Sequence, residues 1–253
     1  MKGSASILFT VLCLFAGAAQ AEIKTEWIDY MQDGTALQGY LAYDDSIAGK
    51  RPGVLLLHRR DGMSELTLEN AKMYARQGYL VFAPDIFGKD VRPKTVPEQQ
   101  AQTTLFTNNR PLMRARTQAG FDVLRANPMV DASKIATVGY CFGGSVGVEF
   151  AETAAPIVGS VTIHGSFRGF PAEAAKNING RVLILHGSED PVAPLTEVVA
   201  LVEQLRAAKV PWELNLYSGT EHGFSTPKDA AEQRANEESK FATARFFKQV
   251  FGL

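Results

Sequence analysis

The sequence predicts an α/β fold, a mostly parallel central sheet that opens on an antiparallel hairpin and carries helices on both faces. Three observations lead there. Short, continuous apolar runs such as "GVLLLH", "YLVFAP", "IVGSVTIHG" and "RVLILHG" alternate with longer stretches of helical period, the pattern of strands buried on both sides. "TEWIDY" and "ALQGYLAY" flank Gln32-Asp33-Gly34, a hairpin signal. And "VGYCFGGSVG" joins a β-rich run directly to a helical one through closely spaced glycines.

In chain order, the hairpin is followed by a strand ending near Leu57 and a helix over about 64–77, with Gly78 as its stop. The next strand runs out at Pro84. Residues 89–112 contain Pro93, Pro97 and Pro111 and few periodic apolar positions, which predicts an irregular excursion over the sheet edge. A helix over 114–126 leads into "SKIATVGY", and another over 142–152 follows it. After two more strands, "PLTEVVALVEQLRAAK" keeps Val198, Leu201, Val202 and Leu205 on one helical face. "WELNLYSG" is the last strand, and a helix over 231–250 closes the chain, with Phe241, Phe246 and Phe247 expected inward.

Nothing in the 253 residues reads as a linker or a fixed repeat, so a single domain over 22–253 is expected. A net charge of −1 gives no general attraction to nucleic acid or anionic membranes. The opening segment places Lys2 before an apolar run from Ile7 to Ala16 and then Ala19-Gln20-Ala21, the order of a secretory leader cleaved after Ala21. The mature chain would be exported, periplasmic or secreted, without stable membrane association. Cleavage removes Cys13 and leaves Cys141 with no partner for an internal disulfide.

Gly139-Tyr140-Cys141-Phe142-Gly143 has the form of a nucleophile elbow with cysteine at the reactive position. Such a turn projects the thiol above the sheet, at a helix N-terminus that favours thiolate, with the Phe142 N–H free to face an oxyanion. A cysteine nucleophile needs a base and an acid that orients the base. His222, in "YSGTEHGF", and Asp190, in "HGSEDPVAP", follow in the chain order nucleophile, acid, histidine. Glu189 is the competing acid. His58, His164 and His186 each end an apolar run and read as structural hydrogen-bonding groups, and no histidine spacing suggests a metal.

"GYCFGG", "HGSEDPVAP", "EHGF" and "GYLVFAPDIFG" together resemble the dienelactone hydrolase family, of the α/β-hydrolase fold, from about Trp27 to the last helix. The resemblance implies a Cys141, His222, Asp190 triad that hydrolyses a small-molecule ester or lactone without metal or organic cofactor. It also implies a second oxyanion N–H near Arg60 in "HRRDG". The chain departs from the family where members carry a glutamate against the resting cysteine, because Arg59 stands there. Ser225, Thr226 and Pro227 fill the region where a substrate-binding arginine would follow the histidine. Arg59 either helps hold a thiolate and contacts substrate or extends to water.

Between Lys89 and Arg116 six basic residues (Lys89, Arg92, Lys94, Arg110, Arg114, Arg116) face two acidic ones (Asp90, Glu98), which suggests an anionic substrate unless acids elsewhere in the fold balance them. Two other classes stay open on sequence alone, a peroxide-sensing thiol and a small-molecule-binding protein on a retired hydrolase scaffold.

Overall fold

The computed structural model describes residues 22–171 and 173–253; the leader read at residues 1–21 lies outside them. Eight strands form one sheet in the order β1-β2-β4-β3-β5-β6-β7-β8. β1 (Ile23–Gln32) and β2 (Thr35–Asp44) are the expected antiparallel hairpin, and β2 pairs antiparallel with β4 (Leu80–Ala83). Asp33 and Gly34 turn the hairpin with φ of +46° and +77°. Two left-handed residues suit the twist of the flanking strands. β3 (Arg51–Leu57), β5 (Val130–Tyr140), β6 (Gly159–Ile163), β7 (Arg181–Gly187) and β8 (Trp212–Tyr217) are parallel.

The two sheet faces carry separate cores. On one, α1 (Glu65–Ala75) and α6 (Ala230–Phe251) bury Ala71, Tyr74, Phe246, Phe247 and Phe251 against Val54, Val138 and Leu183. On the other, α3 (Arg110–Ala126), α4 (Phe142–Ala151) and α5 (Leu195–Ala207) bury Phe121, Val146, Phe150 and Leu201 against Leu55 and Ile184. Both faces of the parallel strands are therefore dry, which explains the unbroken apolar runs. Among the described residues no helix is long and apolar enough to cross a membrane.

The structure corrects two expectations. Residues 89–112 are not irregular, because they contain α2 (Val96–Asn108) and the first turn of α3, which starts at Arg110. Thr95 caps α2 in a reciprocal box with Glu98, and Asn109 caps α3 by accepting from the Leu112 N–H at 3.2 Å. Pro97 and Pro111 sit in the first helical turns, where a missing N–H costs nothing. The prolines begin these helices. Phe241 is not inward either, being 74% exposed. The seam of α6 runs through Ala242, Phe246, Phe247 and Phe251, and a residue one position before Ala242 lies about 100° round the helix.

Candidate active site

The elbow stands where β5 passes into α4. Cys141 itself takes φ of +54°, a conformation L-residues rarely hold. Glycine is required on both sides of it. A Cβ on Gly139 would run into the Gly143 carbonyl, and one on Gly143 into the Leu57 carbonyl of β3. The Cys141 N–H is held by Ile163 O at 3.0 Å and His164 Nδ1 at 3.2 Å, so the strained residue is tied to the end of β6.

The loops after β7 and β8 bring the other two residues to the thiol. His222 Nε2 lies 3.2 Å from Cys141 Sγ, and its Nδ1 donates to Asp190 Oδ2 at 2.8 Å. The second Asp190 oxygen accepts the N–H groups of Val192 and Ala193, at 2.9 and 2.8 Å. A buried carboxylate with both oxygens bonded is fixed in orientation. Glu189, the competing acid, is exposed and takes a bond from Ser188 Oγ. Asp190 is thus the acid that meets His222.

The electrostatics form one unit. Burial opposes ionisation of Cys141, yet the hydrogen bond and charge of His222, the Phe142 N–H and Arg59 together bring its thiol below the ordinary value. Burial would also lower His222, but its bonds to Asp190 and Cys141 outweigh that and push it up to about 9. Asp190 is held low by the His222 bond and two backbone N–H groups despite its burial. Each group thus moves the other towards its charged form, thiolate on Cys141 and imidazolium on His222.

Phe142 and Arg60, expected to supply oxyanion N–H groups, both border the hollow above Cys141. Arg59 does not extend freely to water. Its side chain is about one-fifth exposed, with Nη1 3.4 Å from Thr226 Oγ1 and Nε 4.0 Å from Asp61. It lines the same recess as Cys141 and His222. His58 and His186 are structural as expected. His58 donates from Nδ1 to Arg59 O and accepts the Ile86 N–H at Nε2, and His186 donates to Ala193 O.

Cys141, His164 and His222 offer donor atoms within 4.8 Å of one another. Those atoms are committed, since His164 Nδ1 accepts from Cys141, its Nε2 meets Ser225 Oγ at 2.9 Å, and His222 is shared between Asp190 and the thiol. The donor set has bonds within itself where a metal would need free lone pairs.

Two hollows meet at the thiol. The larger, about 580 Å³, lies under α2 and is lined by Thr103, Thr107, Phe142, Phe170 and Arg110 among others. The smaller, about 340 Å³, lies on the side of Arg59, Thr226 and Lys228. α2 is the wall that sequence reading missed; its Thr95-x-x-Glu98 capping box was the available signal. The basic surplus of residues 89–116 is largely matched by acids from other elements. Lys89 pairs with Asp29, Arg92 with Asp85, and both Arg110 and Arg114 with Glu149. Of those six cations Arg110 borders the larger hollow, and it is already paired.

The chain is similar to known proteins over most of its length. The sequence profile of the dienelactone hydrolase family matches residues 37–251. A dienelactone hydrolase-like promiscuous phosphotriesterase from metagenomic libraries superposes with a TM-score of 0.85 at 29% identity, covering 92% of this chain and all of its own. Hydrolase tropI of Talaromyces stipitatus is 30% identical over 189 residues, 69% of this chain and 71% of its own. A carboxymethylenebutenolidase homolog of Mus musculus is 31% identical over 157 residues, 61% of this chain and 62% of its own. The fold, the elbow and the profile match together make this chain a hydrolase, a member of the dienelactone hydrolase family.

Proposed function

We propose that the protein hydrolyses a small carboxylic ester or lactone through Cys141, His222 and Asp190. The observation that carries this reading is the continuous contact from Asp190 Oδ2 through His222 to Cys141 Sγ, at 2.8 and 3.2 Å. In the proposed cycle the Cys141 thiolate attacks the acyl carbon and forms a tetrahedral oxyanion. The N–H groups of Phe142 and Arg60 receive it. The His222 imidazolium then protonates the leaving alkoxide, leaving a thioester on Cys141. Water, deprotonated by neutral His222, attacks the thioester; the acid departs and the proton returns the pair to its resting state.

Arg60 and Lys228 border the two hollows, with Arg59 and Arg168 beside them in pairs with Asp61 and Glu197 and with Glu221 on the smaller one; this surplus of cations supports a substrate that carries a negative charge. The leader at residues 1–21 supports export.

The test is hydrolysis of 4-nitrophenyl acetate together with the pH dependence of Cys141 alkylation by iodoacetamide. Cys141→Ala is expected to lose at least about 10³-fold in kcat. Wild-type alkylation is expected to proceed well below pH 8 and to retreat towards the unperturbed thiol value, about 8.5, in His222→Ala. A protein that alkylates only near that value and turns over no ester would be a retired scaffold. Arg59→Glu tests the cation at the recess. It is expected to slow alkylation at pH 7 about three- to tenfold, because a charge that favours the thiolate becomes one that opposes it. An unchanged rate would remove Arg59 from the thiol's environment.

A further inference from the structure

We propose that His164 and Ser225 are a positioning pair that locks the strained Cys141 elbow to the His222 loop. The inference rests on Cys141 and His222 being the reacting pair, and it assigns work to a histidine outside the triad.

The geometry determines which ring nitrogen carries the proton. Cys141 presents a backbone N–H to His164 Nδ1 at 3.2 Å, and an N–H can only donate, so Nδ1 is the bare acceptor. The neutral ring's proton is therefore on Nε2, which donates to Ser225 Oγ at 2.9 Å. One imidazole thus joins the residue that delivers the thiol to the loop that delivers its base, because Ser225 lies three residues after His222. The ring also stands edge-to-face against His222, with centroids 4.9 Å apart, and against Phe224 at 5.2 Å.

His164 is wholly buried and holds φ of +43°, a second non-glycine residue in the left-handed region beside Cys141. Two adjoining strained residues at the ends of parallel neighbours, β5 and β6, need surroundings that fix them. The Cys141 N–H lies between Ile163 O and His164 Nδ1, and the His164 N–H goes to Leu185 O at 2.8 Å. The chain of bonds runs from β7 through β6 to the elbow and on to the β8 loop.

The pair works only while His164 is neutral. A proton on Nδ1 would confront the Cys141 N–H. The titratable and charged groups around the ring are Cys141 on the elbow, His222 on the β8 loop, Arg59 on the β3 loop and His186 on β7. Burial, with His222 and Arg59 next, keeps the His164 imidazole well below its ordinary range. His222 is thereby left as the one imidazole of the two that can hold a proton against the thiolate.

Three variants separate the two bonds. Asparagine offers an oxygen at the place of Nδ1, leucine offers neither bond, and Ser225→Ala removes the loop's acceptor while leaving His164. The readouts are the pH midpoint of iodoacetamide alkylation, kcat and KM on 4-nitrophenyl acetate, and a thermal melt for folding. His164→Leu is expected to raise the midpoint by at least one pH unit and lower kcat about 30- to 100-fold, with KM within about twofold. His164→Asn is expected to recover at least tenfold of that kcat. Ser225→Ala is expected to shift the midpoint in the same direction by about half a unit, and it keeps the question answerable if His164→Leu does not fold.

The proposal is overturned if folded His164→Leu or Ser225→Ala keeps the wild-type midpoint and kcat, or if His164→Asn is as impaired as His164→Leu, which would reduce the ring to packing. If no protein in the set turns over ester while the alkylation midpoints still move as stated, the positioning pair stands and the hydrolytic reading fails.

Discussion

Asp190→Asn is expected to lower kcat on 4-nitrophenyl acetate by about 10³- to 10⁴-fold, with little change in KM. The backbone decides how asparagine would sit. The N–H groups of Val192 and Ala193 already point at Asp190 Oδ1, so the amide oxygen of asparagine takes that place and its NH₂ falls where Oδ2 now meets His222. A donor then faces Nδ1. His222 must move its proton to Nε2, against Cys141 Sγ, and can no longer accept the thiol proton. The imidazolium–thiolate pair loses its support, and the alkylation midpoint is expected to climb towards about 8.5. The same change appears in stability. His222 is raised from 6.5 to about 9 in the fold, so its contribution is full below pH 6.5 and lost as pH rises through 9. Asp190→Asn should therefore cost more near pH 6, about 1–3 kcal/mol, than at pH 10. A loss in kcat of less than tenfold, or a destabilisation independent of pH, would show that Asp190 does not govern the histidine.

Most of the scaffold was legible because dry parallel strands leave continuous apolar runs, and because the elbow needs glycine where any Cβ would strike the backbone. Cys141, Asp190 and His222 could be read for a related reason, since each lies just past the carboxyl end of a strand that sequence marks clearly. α2 could not be read from periodicity. Phe106 is its one buried residue, so no apolar stripe announces it, and it depends on caps and first-turn prolines that also suit a loop. The excess of cations in that region misled in the same way. Two of their partners, Asp29 and Glu149, are distant in sequence, and only the fold brings them near; Asp85, seven residues before Arg92, lies just outside the stretch that carries the excess. The bond between His164 and Ser225 joins residues 61 positions apart, on loops after different strands. Sequence marked His164 as a structural group and gave no sign of what it would hold.

Glu152→Gln is expected to stabilise the protein, and only at neutral to alkaline pH. The Glu152 side chain is fully buried at the end of α4, and neither carboxylate oxygen has a hydrogen-bond partner. Arg110 is 3.8 Å away but is engaged by Glu149 and by Gly169 O. Burial first, and then the neighbouring Glu149 charge, push the Glu152 carboxyl up to about 8. An acid raised from 4.5 to about 8 in the fold costs nothing while both states are protonated. The penalty grows as pH rises from 4.5 and is complete above 8. At about 1.4 kcal/mol per pH unit, less what local relaxation recovers, it amounts to about 2–4 kcal/mol at pH 8.5. Glutamine keeps the shape and stays neutral. Thermal melts should show Glu152→Gln about 5–10 °C above wild type at pH 8.5 and within about 1 °C of it at pH 4.5. Equal melting temperatures at pH 8.5 would mean that Arg110 and Arg114 already neutralise the second carboxylate. Because Arg110 also borders the larger hollow, the variant asks a functional question too. If the penalty is merely structural, kcat and KM at pH 8.5 will not change. A rise in KM at pH 8.5, absent at pH 6 where Glu152 is protonated in the fold, would show that the ionised Glu152 helps to hold Arg110 where substrate meets it.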